Sequence, residues 1–265
     1  MTLTAHDLLD FGMPHPERAQ LHVYRSALTL TDTASDAGRD AYLLHQLVER
    51  GLGTVTTTGN RHGRTLYAAA RQPATTDRRR PGRLTAQRPY ALLVQTLSPP
   101  NWAPLQHKGT ITTARTQLVE QTWTTGTTAE IRTIASPQIT RIAQTGKHRS
   151  HLTTPEDSAR WLHQRLTKVG CTLEPHDITL RDAEWTCYSR ADNDAPEREY
   201  QPVQLREFRA TVTITDPHAF TTMLATGLGH NRAWGAGLVL ARHTNREPGA
   251  RNPAGKEGCS PDTRG

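Results

Sequence analysis

The chain has 265 residues, 35% of them hydrophobic, and its 32 Lys+Arg outnumber its 25 Asp+Glu to leave a formal net charge of +7. No run approaches the roughly 18 apolar residues of a membrane-spanning helix, and the apolar fraction is low for a large-cored enzyme. Periodic apolar segments nevertheless argue against a fully disordered chain.

Residues 1–19 read as an extension or a start codon set too early, and with no basic region followed by an apolar stretch no secretory signal is expected. LHVYRSALTL, beginning at Leu21, alternates as a strand. Ser35 and Asp36 offer caps for a helix over 37–50, with Tyr42, Leu44, Leu47 and Val48 at helical spacing and Gly51 closing it. Short strands are expected at 53–58 and 65–70 around the turn GNRHG, then a Pro/Gly/Arg loop over 72–89 and the strand ALLVQT at 91–96. The order β-α-β-β-(loop or short helix)-β resembles a ferredoxin-like unit.

The second half reads similarly. Residues 127–143 form one or two strands interrupted by Pro137. Residues 154–170 form a helix with Thr154 as N-cap, Pro155 at its first position, Glu156 and Asp157 in the first turn and Gly170 at its end. Strands are expected at 172–180 and 183–189, followed by a polar segment at 190–202. An alternating strand at 208–215, a capped helix at 216–227 and an apolar strand at 237–242 complete the half. The division expected is an extension (1–19), a first domain (20–98), a linker (99–126), a second domain (127–242) and a disordered tail (243–265).

Charge is unevenly placed. Four of the cations are lysines, and residues 61–90 carry eight arginines against one aspartate, which equals the whole net charge. An arginine-rich, aromatic-poor chain points to a polyanionic partner or to a soluble charged surface. Cys171, Cys187 and Cys259 are odd in number and widely spaced, so they suggest neither a disulfide framework nor a zinc knuckle, and they suit a reducing cytoplasm. His148 and His151 lie close in sequence, but no third ligand joins them at a recognised spacing, so no metal and no cofactor are expected. The glycine-rich stretch GLGHNRAWGAG (227–237) follows a helix and leads into a strand, the reverse of a dinucleotide fingerprint. Its backbone amides and basic side chains suit either phosphate binding or a tight connection.

Four segments together carry a more specific signal: RDAYLLHQLV (39–48), LLVQTLSPPNWAPL (92–105), GKHR (146–149) and RATVTITDPHAFTTMLATGLGHNRAWGAGLVLAR (209–242). In these the chain resembles the type I-E CRISPR-associated endoribonucleases, the repeat-RNA processing subunits of the Cascade complex. The resemblance implies an α+β fold of tandem ferredoxin-like (RRM-like) domains, each an antiparallel sheet with helices on one face. It implies metal-independent cleavage of CRISPR precursor RNA at the 3′ base of a repeat stem-loop, with retention of the guide. The implied partners are the repeat hairpin and other Cascade subunits, chiefly the backbone subunit at the guide 3′ end. The protein is then cytoplasmic, without a membrane, and monomeric outside the complex.

The resemblance assigns catalysis to His45 assisted by Tyr42, which lie three apart on one helix face. A histidine suits proton transfer near neutral pH. Gln46 stands where active relatives often carry a basic residue, leaving Arg39, Lys147, His148 and Arg149 as candidate sources of positive charge. An inactive hairpin-binding assembly subunit is therefore the alternative reading. Hairpins are gripped largely through phosphates and A-form shape. Candidates for that grip are Arg61, Arg64, Arg78, Arg79, Arg80 and Arg83, the helix residues Arg160, Arg165 and Lys168, and Gly229, His230, Asn231 and Arg232 of the glycine loop. In that loop Arg232 replaces the family's usual lysine and Ala236 its usual cysteine. Trp161 is expected in the core.

Overall fold

The alternation that begins at Leu21 belongs to a longer strand, β1 (Arg18–Leu30), around which a computed structural model assembles an α+β fold. The structure describes residues 16–52, 65–71, 89–143, 146–181, 184–190 and 199–244. β1 joins β2 (Leu66–Arg71), β3 (Pro89–Thr96) and β4 (Ile111–Thr124) in an antiparallel sheet of order β2-β3-β1-β4. A second antiparallel sheet has the order β10-β11-β5-β12 and contains β5 (Thr128–Ala135), β10 (Glu184–Arg190), β11 (Glu199–Ile214) and β12 (Val239–His243). The short strands β8 (Cys171–Thr172) and β9 (Ile178–Leu180) also pair with β11. Between β5 and the next helix in sequence, β6 (Gln138–Ala143) and β7 (Gly146–His151) form a separate hairpin.

The first sheet carries α1 (Asp32–Ala37), α2 (Ala41–Gly51) and α3 (Ala103–His107). The second carries α4 (Pro155–Thr167), while α5 (Pro217–Thr226) packs mainly against β1 of the first sheet and also reaches β12. In place of one helix over 37–50 there are two, because Thr31 caps the first and Asp40 caps the second. The Asp40 carboxylate accepts from the Tyr42 amide at 2.9 Å, which fixes the start of α2. At the break, a Cβ on Gly38 would lie 2.7 Å from the Pro89 ring, so a larger residue there would push β3 away.

The stretch expected as a linker, 99–126, instead contains α3 and β4, and β4 pairs with β1 from Thr124 opposite Arg18 to Ile111 opposite Leu30. ITTARTQLVEQTWT hides this strand because it lies at an edge and is mostly exposed, so little apolar alternation is demanded of it. The strand expected over 172–180 is divided by a 3-10 turn at Pro175–Asp177, and the strand at 208–215 extends back to Glu199. The expected strand at 53–58, the GNRHG turn and most of the 72–89 loop lie outside the described residues, as do residues 1–15 and 245–265.

Two cores share β1. Leu21 and Val23 bury with Trp123 under α4 and α5, among Trp161, Leu162, Leu166, Phe208 and Phe220. Leu28 and Leu30 face the first sheet's helices and bury with Leu44, Val48, Tyr67, Trp102 and Leu105. The sheets therefore share a strand's worth of core. α4 forms as its sequence predicts: Thr154 Oγ1 accepts from the Asp157 amide at 3.1 Å, and Trp161 is buried.

Candidate functional site

α2 buries Ala41, Leu44, Leu47 and Val48, and this choice of face leaves Tyr42, His45 and Gln46 half exposed. Tyr42 and His45 thus meet solvent side by side, one turn apart. One turn beyond Gln46, Arg50 donates to the Gln46 side-chain oxygen at 3.4 Å, bringing a guanidinium alongside the amide on this surface. Arg39 pairs with Asp36 at 3.4 Å, while its carbonyl accepts from the Cys187 thiol of β10 at 3.7 Å. The N-terminal end of α2 is thereby docked on the edge of the second sheet. Burial pushes the Cys187 thiol pKa up, helped by the Asp40 charge.

The glycine stretch connects α5 to β12 and approaches α2 from the second sheet. Gly227, Gly229, Gly235 and Gly237 all have positive φ, and Asn231 is the only described residue other than glycine with positive φ, at 60°. A Cβ on Gly229 would meet the Trp161 ring at 3.1 Å, so the loop lies directly on α4. Asn231 donates to Ser136 Oγ at 3.0 Å, and the Gly237 amide donates to the Ile134 carbonyl. The Arg232 guanidinium donates to the Thr226 and Gly227 carbonyls at 3.0 and 3.3 Å, closing the C-terminal end of α5. The 3-10 turn Arg232–Trp234 then delivers Trp234 to α2. Its ring centre is 5.8 Å from that of His45, edge-to-face, and 6.2 Å from that of Tyr42. Ala236 is fully buried beside Val203 and Leu205, where its small side chain fits.

Along its other flank the loop borders an open groove of about 460 Å³, lined by Arg165 of α4 and its C-cap Lys168, by α5, and by Gly229, His230 and Arg232. Burial pushes the His230 pKa down, and the neighbouring Arg149, Arg165 and Arg232 charges push it further. The Arg165, Lys168 and Arg232 side chains give the groove a cationic lining. The Arg165 guanidinium also lies 5.8 Å over the Trp161 ring, which holds it at the groove wall.

Of the residues picked out from sequence, Tyr42, His45, Arg149, Arg165, Lys168, Gly229, His230, Asn231 and Arg232 are gathered around this one loop. Arg160 is exposed and paired with Asp157 at 2.9 Å, away from the groove lining. Lys147 and His148 lie in β7, opposite Ile142 and Arg141 of β6. Arg61, Arg64, Arg78, Arg79, Arg80 and Arg83 lie outside the described residues. His151 is placed against Gln138 and the Trp185 ring, and among the described residues no three His, Cys, Asp or Glu side chains gather to hold a metal ion. Also among the described residues, no helix is long and apolar enough to cross a membrane. Trp234 and Tyr67 are not among the residues expected at the site; an aromatic residue inside a glycine-rich turn is the signal that marks Trp234.

A protein-family model described as CRISPR associated protein matches residues 21–242. The CRISPR-associated endoribonuclease Cse3 of Thermus thermophilus is 30% identical over 156 residues, which is 57% of this chain and 72% of that relative. Among solved structures, Thermus thermophilus Cse3 bound to an RNA representing a pre-cleavage complex superposes with a TM-score of 0.65 at 24% identity, covering 83% of this chain and 99% of that one. Cas6e from Escherichia coli str. K-12 gives a TM-score of 0.55 at 19% identity, covering 83% of this chain and all of that one, 100%. At these identities the superpositions establish the fold.

Proposed function

The chain belongs to the CRISPR-associated protein family, alongside the Cse3 endoribonucleases, and from that membership we propose that it cuts CRISPR precursor RNA at the 3′ base of each repeat stem-loop without a metal. The observation that carries this reading is the meeting of Tyr42 and His45 with a loop whose far side borders a groove lined by Arg165, Lys168, His230 and Arg232. One side offers hydrogen-bonding and proton-transfer groups; the other offers positive charge for phosphates. The presence of two antiparallel four-strand paths, each packed against helices, supports reading them as tandem ferredoxin-like units.

The reaction needs only groups of this kind. The 2′-hydroxyl of the nucleotide 5′ to the cut attacks its own 3′-phosphate as a base removes its proton. The bond from phosphorus to the 5′ oxygen of the next nucleotide breaks, and that oxygen takes up a proton. The products are a 2′,3′-cyclic phosphate and a 5′-hydroxyl. His45 serves one of these two proton transfers, and the Tyr42 hydroxyl orients the attacking oxygen or the phosphate. Phosphate contacts along the groove hold the hairpin after cutting, so the protein stays with the guide 3′ end, beside the backbone subunit of a type I-E effector complex in the cytoplasm. Outside the complex it is a monomer.

The test uses a labelled repeat hairpin in excess EDTA, with a matched substrate carrying 2′-deoxyribose at the scissile nucleotide. Cleavage that persists in EDTA, stops with the deoxy substrate and leaves a cyclic phosphate is the expected result. Tight binding without cleavage would instead identify an inactive assembly subunit.

A further inference from the structure

We propose that Trp234 is a positioning residue for the His45–Tyr42 pair and that the buried hydroxyl of Tyr67 anchors the turn that carries it. This rests on the nuclease reading above. His45 and Tyr42 project from a half-exposed helix face, where a side chain has several staggered rotamers open to it. The Trp234 indole limits that choice for both residues at once, edge-to-face with the His45 ring at 5.8 Å and tilted to the Tyr42 ring at 6.2 Å. Aromatic pairs at such separations have preferred geometries, so a fixed indole gives each ring one preferred seat.

The indole is itself held from both sheets. It packs against the cluster of Val203, Leu205 and Ala236 on the second sheet. From the first sheet, Tyr67 is 1% exposed and its hydroxyl donates to the Ala233 carbonyl at 2.8 Å, next to Trp234 in the turn. Gly235, directly after the indole, has φ of 79°, and a Cβ there would lie 2.9 Å from the Tyr67 ring. A turn gripped on one side by a phenol and on the other by an apolar patch has little freedom to shift. The orientation of His45 on the first sheet's helix is therefore set by a residue of the second sheet's loop.

The experiment compares Trp234→Leu, Trp234→Phe and Tyr67→Phe with wild type in single-turnover cleavage, hairpin binding and proton NMR of the histidine rings. The His45 signal is identified by its loss in His45→Gln. Trp234→Leu keeps apolar bulk, so the fold is retained. It is expected to slow saturating cleavage by about tenfold or more while changing hairpin affinity by less than about threefold. Trp234→Phe recovers most of the rate, and Tyr67→Phe shows a smaller loss of the same kind. The His45 ring signal, which lies in the field of the indole, moves in Tyr67→Phe, where the indole is kept and only the anchor of its turn is lost. That signal is readable without cleavage: if wild type leaves the hairpin intact but the signal moves, the nuclease reading fails and the positioning stands. An unmoved signal, wild-type cleavage by Trp234→Leu, or affinity falling in step with rate would each overturn the positioning role.

Discussion

The first long helix of each sheet follows the same plan with opposite outward chemistry. α2, of 11 residues, and α4, of 13, each bury an apolar stripe on their own sheet. The open face of α2 presents Tyr42, His45 and Gln46, whereas α4 and its C-cap present Arg160, Arg165 and Lys168. Tyr42 and His45 thus stand on one unit and the cations of the groove on the other, with the glycine loop reaching both: Trp234 touches the α2 face and His230 and Arg232 line the groove beside α4. Reading either unit alone would find half a site.

The sharpest way to break this division is to disarm each helix in turn. His45→Ala is expected to slow cleavage by about 10²–10⁴-fold while leaving hairpin affinity close to wild type. The double substitution Arg165→Ala with Lys168→Ala should do the reverse. Its affinity falls, the dependence of log affinity on log salt becomes shallower by about one for each phosphate no longer neutralised, and cleavage at saturating protein is kept. Rates and affinities measured across a salt series decide it. If His45→Ala binds as weakly as the double variant, or the double variant cuts as slowly at saturation, chemistry and grip are not divided between the helices.

Helices α4 and α5 were legible in the sequence because their determinants are local. Thr154, Pro155 and the acidic first turn announce α4 within four residues, and Asp216 with Pro217 does the same for α5. Tyr42 and His45 could be placed on one face from spacing alone. What was not legible depends on distant partners. β4 is held by pairing with β1, far earlier in the chain, so its own threonine-rich sequence need not look like a strand. The glycine loop could be seen as a connection, but the descent of Trp234 onto α2 depends on Tyr67 and Ser136, which no spacing rule links to it. The resemblance supplied roles for His45 and Tyr42; the packing supplied their neighbour.

Because β1 contributes side chains to both cores and polar contacts also join the two units, they are expected to unfold together, and Gln95 tests this at an intermediate size of effect. Gln95 is 1% exposed; it accepts from Arg25 Nε at 3.0 Å and donates to the Leu224 carbonyl at 2.7 Å. That carbonyl lies in the last turn of α5, and the Leu228 amide that would continue the helix donates to the Gly237 carbonyl instead. Gln95→Leu leaves the Leu224 carbonyl without this donor and Arg25 Nε without its acceptor. The expected cost is about 1–3 kcal/mol, seen as a lower urea midpoint in a single transition of unchanged slope. An unchanged midpoint would remove Gln95 from the contact that joins the sheets, and two separate transitions would show that the units unfold independently.

The smallest expected effect tests whether the groove, rather than the α2 face, receives RNA phosphates. In the free protein, burial and the Arg149, Arg165 and Arg232 charges depress the His230 pKa, so the neutral ring predominates at and above its ordinary value of 6.5. A phosphate lying in the groove opposes those cations and favours the imidazolium, so the complex holds more protons than the free protein just below that pH. Affinity is therefore expected to rise as pH falls from 6.5 toward the depressed free-protein pKa, and to level off below it. Hairpin binding by His45→Ala, which removes cleavage and the other loop-facing histidine, can be followed at constant ionic strength from about pH 7.5 to 5.5. Adding His230→Gln should flatten the curve over that window. If the two curves keep the same slope, phosphates do not approach His230, and the grip of the molecule has to be sought on a surface other than this groove.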